Sequence, residues 1–186
     1  MTVRIVPALA VVLALAAGCA TAPKKLHGDW PLQANVWWGT SVRTPPDWNG
    51  HLVRGTGGDY LITHPEGPWK GRCVVTSRSA PGTLGLSVKQ LKSWSTPKQL
   101  KESFISTIGA ESVVTRVEDG MLDTKPAFLT FFTRPGTQGQ PGTKGRLLLT
   151  YRHGTRHLID CRARAEYFDA VEPVFGEIGK TFRFSR

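Results

Sequence analysis

The chain of 186 residues is 40% hydrophobic and carries 24 Lys and Arg against 14 Asp and Glu, a formal net charge of +10. That length suits one domain with a sizeable core, and the lack of internal repeats or heptads excludes a solenoid or a coiled coil. So basic a chain would take nucleic acid as its first partner in the cytosol, so the compartment decides what the charge means.

The N-terminus, MTVRIVPALAVVLALAAGCATAPKK, supplies the compartment. Arg4 precedes an apolar run from Ile5 to Ala17 that only Pro7 interrupts. The run falls short of the roughly 20 apolar residues that span a bilayer and has the length of a signal-peptide core. It ends in Leu15-Ala16-Ala17-Gly18-Cys19, which resembles the lipobox of bacterial lipoproteins, with Leu15 one position further from the cysteine than is usual. The resemblance implies cleavage before Cys19, diacylation of its thiol and acylation of its new amino group, by chains such as palmitate. Several chains make a stable anchor where one binds only marginally. Ala20 stands where an Asp would favour inner-membrane retention, so a Gram-negative host would place the protein at the outer membrane. Residues 1–18 are thus expected to be a signal peptide and 19–34 a lipidated cysteine with a flexible tether. Residues 35–186 are expected to form a single α+β domain.

The remaining elements follow in chain order. HLVRGTGGDYLITH, residues 51–64, predicts a hairpin around Gly55, Gly57, Gly58 and Asp59. RCVVTS (72–77) and TLGLSV (83–88) predict a second strand pair about Ala80-Pro81-Gly82. Ser95-Thr96-Pro97 opens a helix over 98–108, whose Leu100, Phe104, Ile105 and Ile108 form an apolar stripe that Gly109 ends. Strands are predicted over 112–117 and 127–133, about an Asp119-Gly120 turn. The Gly- and Pro-rich stretch 135–145 reads as a mobile loop. A long hairpin over 146–152 and 156–163 turns at His153-Gly154-Thr155. Asp169-Ala170-Val171-Glu172 then reads as a capping box for a helix with Val171, Val174, Phe175 and Ile178 on one face, and Phe182 and Phe184 close the chain in a strand. Short turns favour antiparallel pairing. The fold class is α+β, an antiparallel sheet covered by helices in an α/β/α sandwich.

VRTPPDWNG (42–50) and AEYFDAVEPVFGEIGKTFRF (165–184) resemble the corresponding stretches of the PsbP-like family, and the element order resembles it over residues 35–186. The resemblance implies the PsbP-like form of that sandwich. Members include photosystem-associated proteins, a nuclear transport factor and bacterial lipoproteins, most of which act by binding. Fold does not transfer function, so no binding residue is carried over.

Candidate chemistry centres on RHLIDCRARAEYFD, residues 156–169. His157, Asp160 and Cys161 have the composition of a nucleophile with its base and orienting acid. On a strand, however, side chains alternate faces. His157 and Cys161 then lie about 13 Å apart on one face, and Asp160 points to the other. A base must approach its nucleophile to roughly 3 Å, so the local triad fails. Cys19 being committed to lipid, Cys73 and Cys161 form an even pair in an oxidising compartment, and a disulfide is expected. His27, His51, His64, His153 and His157 show no zinc-site spacing, although His153 and His157 could meet across their hairpin. No metal or cofactor is expected. No phosphate-cradling glycine motif or Gly-x-Ser-x-Gly elbow occurs. Trp37 and Trp38, with Trp48 and Trp69, suit either core anchors or a groove.

The charge excess gathers in Arg134, Lys144, Arg146, Arg152, Arg156, Arg162 and Arg164, with Asp160 the one acid between 134 and 164. In the envelope such a surface could meet anionic lipid, lipopolysaccharide or a cell-wall polymer rather than nucleic acid. Solvated strand faces are the plainer use. The expected function is a non-catalytic protein, held at the membrane through Cys19, whose domain binds a protein partner or an anionic envelope component. The alternatives are an envelope hydrolase with a site assembled from distant residues, or a carrier of lipid or another small molecule.

Overall fold

The computed structural model describes residues 29–53, 57–93, 98, 102, 105 and 107–185. Ten strands form two antiparallel sheets. The small sheet runs β1 (Leu32–Asn35), β2 (Thr40–Arg43) and β10 (Arg183–Phe184), with β2 in the middle. The large sheet contains β3 (Asn49–Val53), β4 (Asp59–Thr63), β5 (Arg72–Ser79), β6 (Val113–Leu122), β7 (Lys125–Arg134), β8 (Thr143–Arg152) and β9 (Thr155–Arg164). Its order, β3-β4-β5-β9-β8-β7-β6, makes β5 and β9 the junction of two meanders. The expected tether boundary at residue 34 falls inside β1.

Two helices run unbroken among the described residues, α1 (Val88–Ser93) and the 17-residue α2 (Ala165–Thr181). α2 lies across β8 and β9 and also packs on β2. Phe168, Phe175 and Ile178 are its buried anchors. They meet Ile62, Cys73, Val75, Leu148, Ile159 and Cys161 from one face of the large sheet. The opposite face has its own smaller core, where Phe128, Phe132, Leu147, Leu149 and Leu158 gather around Ile108. Residues 98, 102, 105, 107 and 108 are helical, as expected, but Ile105 is exposed rather than packed. Ser95, Thr96, Pro97, Leu100 and Phe104 lie outside the described residues. The sheet-rich antiparallel class is as expected, while the helical cover that the described residues show is chiefly α2.

Several local expectations change. Residues 83–88 form no strand with β5: the Ala80 N–H bonds to Gly154 O at 2.6 Å and the chain turns on itself rather than folding back along Thr76–Ser79, which β4 leaves uncovered. Instead Pro81–Thr83 is a 3₁₀ turn, and α1 follows. Ser87 caps α1 by accepting from the Gln90 N–H at 3.2 Å, while the Gln90 side chain accepts from the Ser87 N–H at 2.8 Å. Ser-x-x-Gln is a capping box. The predicted capping box at Asp169 and Glu172 lies inside α2. The chain enters α2 directly from β9, and the Ala165 N–H is satisfied by Gly142 O at 3.0 Å. Asp119 and Gly120 are strand residues, and the turn lies at Asp123, whose φ is +54°. A Cβ on Gly120 would come within 3.3 Å of Leu148, so that glycine makes room for the core. The 135–142 loop is pinned, Thr137 and Gln140 exchanging two backbone hydrogen bonds of 2.9 and 3.0 Å. The β8–β9 turn is the two residues His153 and Gly154, with φ of +49° and +70°, the pattern of a type I′ hairpin. His157 pairs with Thr150, not with His153.

Candidate functional site

β9 is central, with β5 on one side and β8 on the other. Its odd residues face α2 and its even residues face the second core. Cys73 and Cys161 are direct cross-strand partners, and the structure joins them with Sγ atoms 2.03 Å apart. Cys161 is therefore no free thiol. Asp160, on the opposite face, accepts from Arg162 Nε at 2.8 Å and from Nη2 at 2.6 Å. The three residues of the suspected triad thus have three separate occupations. His157 accepts from or donates to the Ser77 hydroxyl across 2.9 Å. It is 3% exposed, beneath the rings of Phe182 and Phe184. Burial, reinforced by the nearby Arg152 charge, lowers its pKa to about 4. This Ser–His pair is sealed in the core and lines none of the surface cavities described here. Among the described residues, no three His, Cys, Asp or Glu side chains come together as metal ligands.

The seven basic residues of 134–164 do not share one surface. β8 turns its basic residues to one face, and β7 and β9 turn theirs to the other. Lys144, Arg146 and Arg152 lie on the α2 face. Lys144 pairs with Asp169 at 3.2 Å, Arg146 pairs with Glu172, and Arg152 lies 4.7 Å from the centre of the Phe184 ring. Arg134, Arg156, Arg162 and Arg164 lie on the other face. Three of them gather at one end of the sheet with Arg72, which the sequence reading did not single out. The register sets Arg72 opposite Arg162, Arg162 opposite Gly145, and Gly145 opposite Phe132. One row further, Arg164, Thr143 and Arg134 align. Gly145 has a local reason. A Cβ there would run into the Phe132 ring, which crosses the gap to lie 5.2 Å from the Arg162 guanidinium.

Arg72, Arg134 and Arg162 line one cavity of about 80 Å³, walled by Trp69, Pro135 and Pro141. Its walls are held by backbone hydrogen bonds, Arg164 N–H to Trp69 O at 2.8 Å and the paired turn of Thr137 and Gln140. Arg162 is 12% exposed and bound to Asp160 and to the Thr107 carbonyl. Burial, then repulsion from Arg162, holds Arg72 below the usual arginine range, with Asp160 acting the other way.

A second feature is apolar. The β1–β2 turn carries Val36 and Trp37, 90% and 91% exposed. Trp38 is tied back by its indole N–H to Gly57 O at 2.8 Å, and Asn35 reaches Gly58 O at 2.5 Å. The turn is thereby braced against the β3–β4 hairpin, and with Leu52 it borders an open groove of about 770 Å³. Trp48 is instead a core anchor, packed edge-on against Phe175.

No protein-family model and no curated protein matches the chain. Solved structures do. Cyanobacterial PsbP (CyanoP) from Synechocystis sp. PCC 6803 superposes with a TM-score of 0.60 at 13% identity, covering 90% of this chain and 98% of that one. The fold is PsbP-like. The Ran-binding protein Mog1p of Saccharomyces cerevisiae matches the PsbP-like chain at TM-score 0.51 and 8% identity, over 84% of this chain and 95% of its own. A Bacteroides thetaiotaomicron protein matches at 0.51 and 13% identity, over 83% of this chain and 48% of its own. At such identities the likeness is one of fold, so a site on the PsbP-like domain is argued from its own side chains.

The arginine cavity was legible only through the cysteines. A bond between Cys73 and Cys161 in antiparallel strands places Arg72 beside Arg162. The exposed turn had a weaker signal, a Val-Trp-Trp run followed by Gly39 at φ +57°.

Proposed function

We propose that this is a non-catalytic cell-envelope protein, anchored through lipid on Cys19, whose PsbP-like domain binds a protein partner. The signal peptide would be residues 1–18, the lipidated tether 19–31 and the domain 32–186, since β1 starts at Leu32, with the outer membrane as its site in a Gram-negative host. A second helical layer, to which residues 98, 102, 105, 107 and 108 would contribute, would complete an α/β/α sandwich.

The observation that carries the binding role is the braced Val36–Trp37 turn. An exposed tryptophan beside exposed aliphatic side chains, on a turn fixed by hydrogen bonds, is a low-entropy anchor of the kind that dominates protein interfaces. Mog1p, described as Ran-binding, shows that a protein of this fold recognises another protein. The bond between Cys73 and Cys161 suits an oxidising compartment. The commitment of Cys161, His157 and Asp160 to other partners favours a binding role over a hydrolytic one. The divided basic residues disfavour one broad contact with an anionic polymer.

Two measurements test this reading. Intact mass of the protein from membranes should show acyl chains on Cys19, and Cys19→Ala should release it to the soluble fraction. In pull-downs from native envelope, a discrete protein held by the parent should be lost with Trp37→Ala. An unmodified Cys19 would remove the anchor, and an identical set of retained proteins would remove the binding turn.

A further inference from the structure

We infer that the cavity between Arg72, Arg134 and Arg162 binds a phosphate group. These arginines come from β5, β7 and β9, so the cavity draws its positive charge from three strands rather than from one flat edge. Like charges directly opposite in a sheet are destabilising, and Arg72 and Arg162 are direct partners. Asp160 offsets one of the three charges and is already committed to Arg162 by three hydrogen bonds. Two positive charges are left over. Among the described residues, neither Arg72 nor Arg134 has a hydrogen-bonded or ion-paired acceptor.

Charge selects the ligand class. The cavity of about 80 Å³ has room for several waters and so for a small oxyanion. A carboxylate carries one charge and presents two oxygens on one edge, which one arginine fork satisfies. A phosphate monoester carries about −1.5 to −2 charges and three acceptor oxygens, which matches the surplus of two and the three arginines around the cavity. Thr143 and Thr137 on the rim add hydroxyl donors. The pinned walls mean that little ordering accompanies binding. Inorganic phosphate and a phosphomonoester headgroup of a lipid share this chemistry. This site does not depend on the Trp37 turn or on the anchor.

The test uses the full chain in neutral detergent at low chloride. Inorganic phosphate is titrated calorimetrically, and acetate serves as the carboxylate control. Phosphate should bind saturably and acetate at least tenfold more weakly. Arg72→Gln and Arg134→Gln should each weaken phosphate tenfold or more, while Lys89→Gln, which removes an equal charge on exposed α1, should leave it within twofold. Arg134→Lys keeps the charge without the fork and should fall between. Thermal melts guard against misfolding. Arg72→Gln should melt at or above the parent without phosphate and below it with saturating phosphate, a reversal that a merely structural arginine would not give. Vesicles containing phosphatidate, compared with phosphatidylcholine alone, separate the two sources. Binding that free phosphate competes away assigns a headgroup to this cavity, and phosphate binding without vesicle binding assigns the free ion. Absence of saturable phosphate binding, equal loss with Lys89→Gln, or vesicle binding that phosphate does not compete would overturn the proposal.

Discussion

The two faces of the large sheet treat their arginines differently. On the face under α2, Arg146 and Lys144 meet the acids Glu172 and Asp169 of the helix, and the charges close on one another. On the other face, at the end where β5, β7 and β9 meet the 135–142 loop, cations outnumber acids around a small cavity. The two sets come from different strands, β8 on the α2 face and β5, β7 and β9 on the other. The two-residue turn between β8 and β9 sets the even-numbered residues of the two strands on opposite faces, so one basic run in sequence becomes a paired set and a set with unspent charge. A run of positive residues across a hairpin is two surfaces, and only their partners show which one is available.

The largest expected effect lies on the α2 face. Replacing both Cys73 and Cys161 with Ala opens a loop with a sequence separation of 88, worth about 4 kcal/mol by the chain-entropy argument. Urea denaturation without reductant should show a loss of that order. A loss under about 1 kcal/mol would mean that the strand pairing alone holds the junction.

His157 gives the next effect, and its sign is fixed by its environment. Its folded pKa of about 4 lies below its ordinary 6.5, so the unfolded chain binds more protons between those values. Stability is then complete above about pH 6.5 and falls as the pH drops towards 4, by up to about 3 kcal/mol for this group. His157→Gln should flatten the dependence of urea stability on pH across that window. A parallel slope in parent and variant would show that His157 is not the group responsible.

Smaller effects sharpen the contrast of faces. Glu172→Gln leaves Arg146, 13% exposed at its side chain, without its ion pair and should cost about 1–2 kcal/mol. Arg72→Gln on the other face should cost nothing in anion-free buffer. Comparable losses from both substitutions would erase the distinction. Smallest of all, Trp37→Ala should change stability by less than about 0.5 kcal/mol whatever it does to partner capture, because the side chain is almost fully exposed.

Much of the fold was legible where a local signal had no competitor. His153-Gly154 requires positive φ, so its turn and the long hairpin around it were fixed by backbone sterics. The hairpin of β3 and β4 was marked by glycines in the same way. Elsewhere the local signal was real and the wrong one won. Thr83–Val88 has strand composition, but the Ala80 N–H is taken by Gly154 O and Pro81–Thr83 closes into a 3₁₀ turn, so the chain does not fold back along β5. Asp119-Gly120 has turn composition, yet Gly120 sits in a strand because Leu148 needs its space. Asp169 and Glu172 have cap spacing, but they answer Lys144 and Arg146 across the packed face. Ser87-Val-Lys-Gln90 is a true capping box, set among apolar residues that have strand composition. Three-dimensional neighbours decided each case. The arginine cavity belongs to the same category, since Arg72 lies far in sequence from the basic run it joins.

The position of the disulfide also orders events in time. Strands β3 to β5 form one meander of local hairpins and β6 to β9 another, and such local pairings form readily. The junction between them is the long-range step, and its two cysteines sit on the fifth and ninth of ten strands. A chain made from its amino end presents Cys73 long before Cys161 exists. Through most of its synthesis Cys73 waits unpaired on an open strand edge, and the cross-link closes only when the molecule is nearly whole.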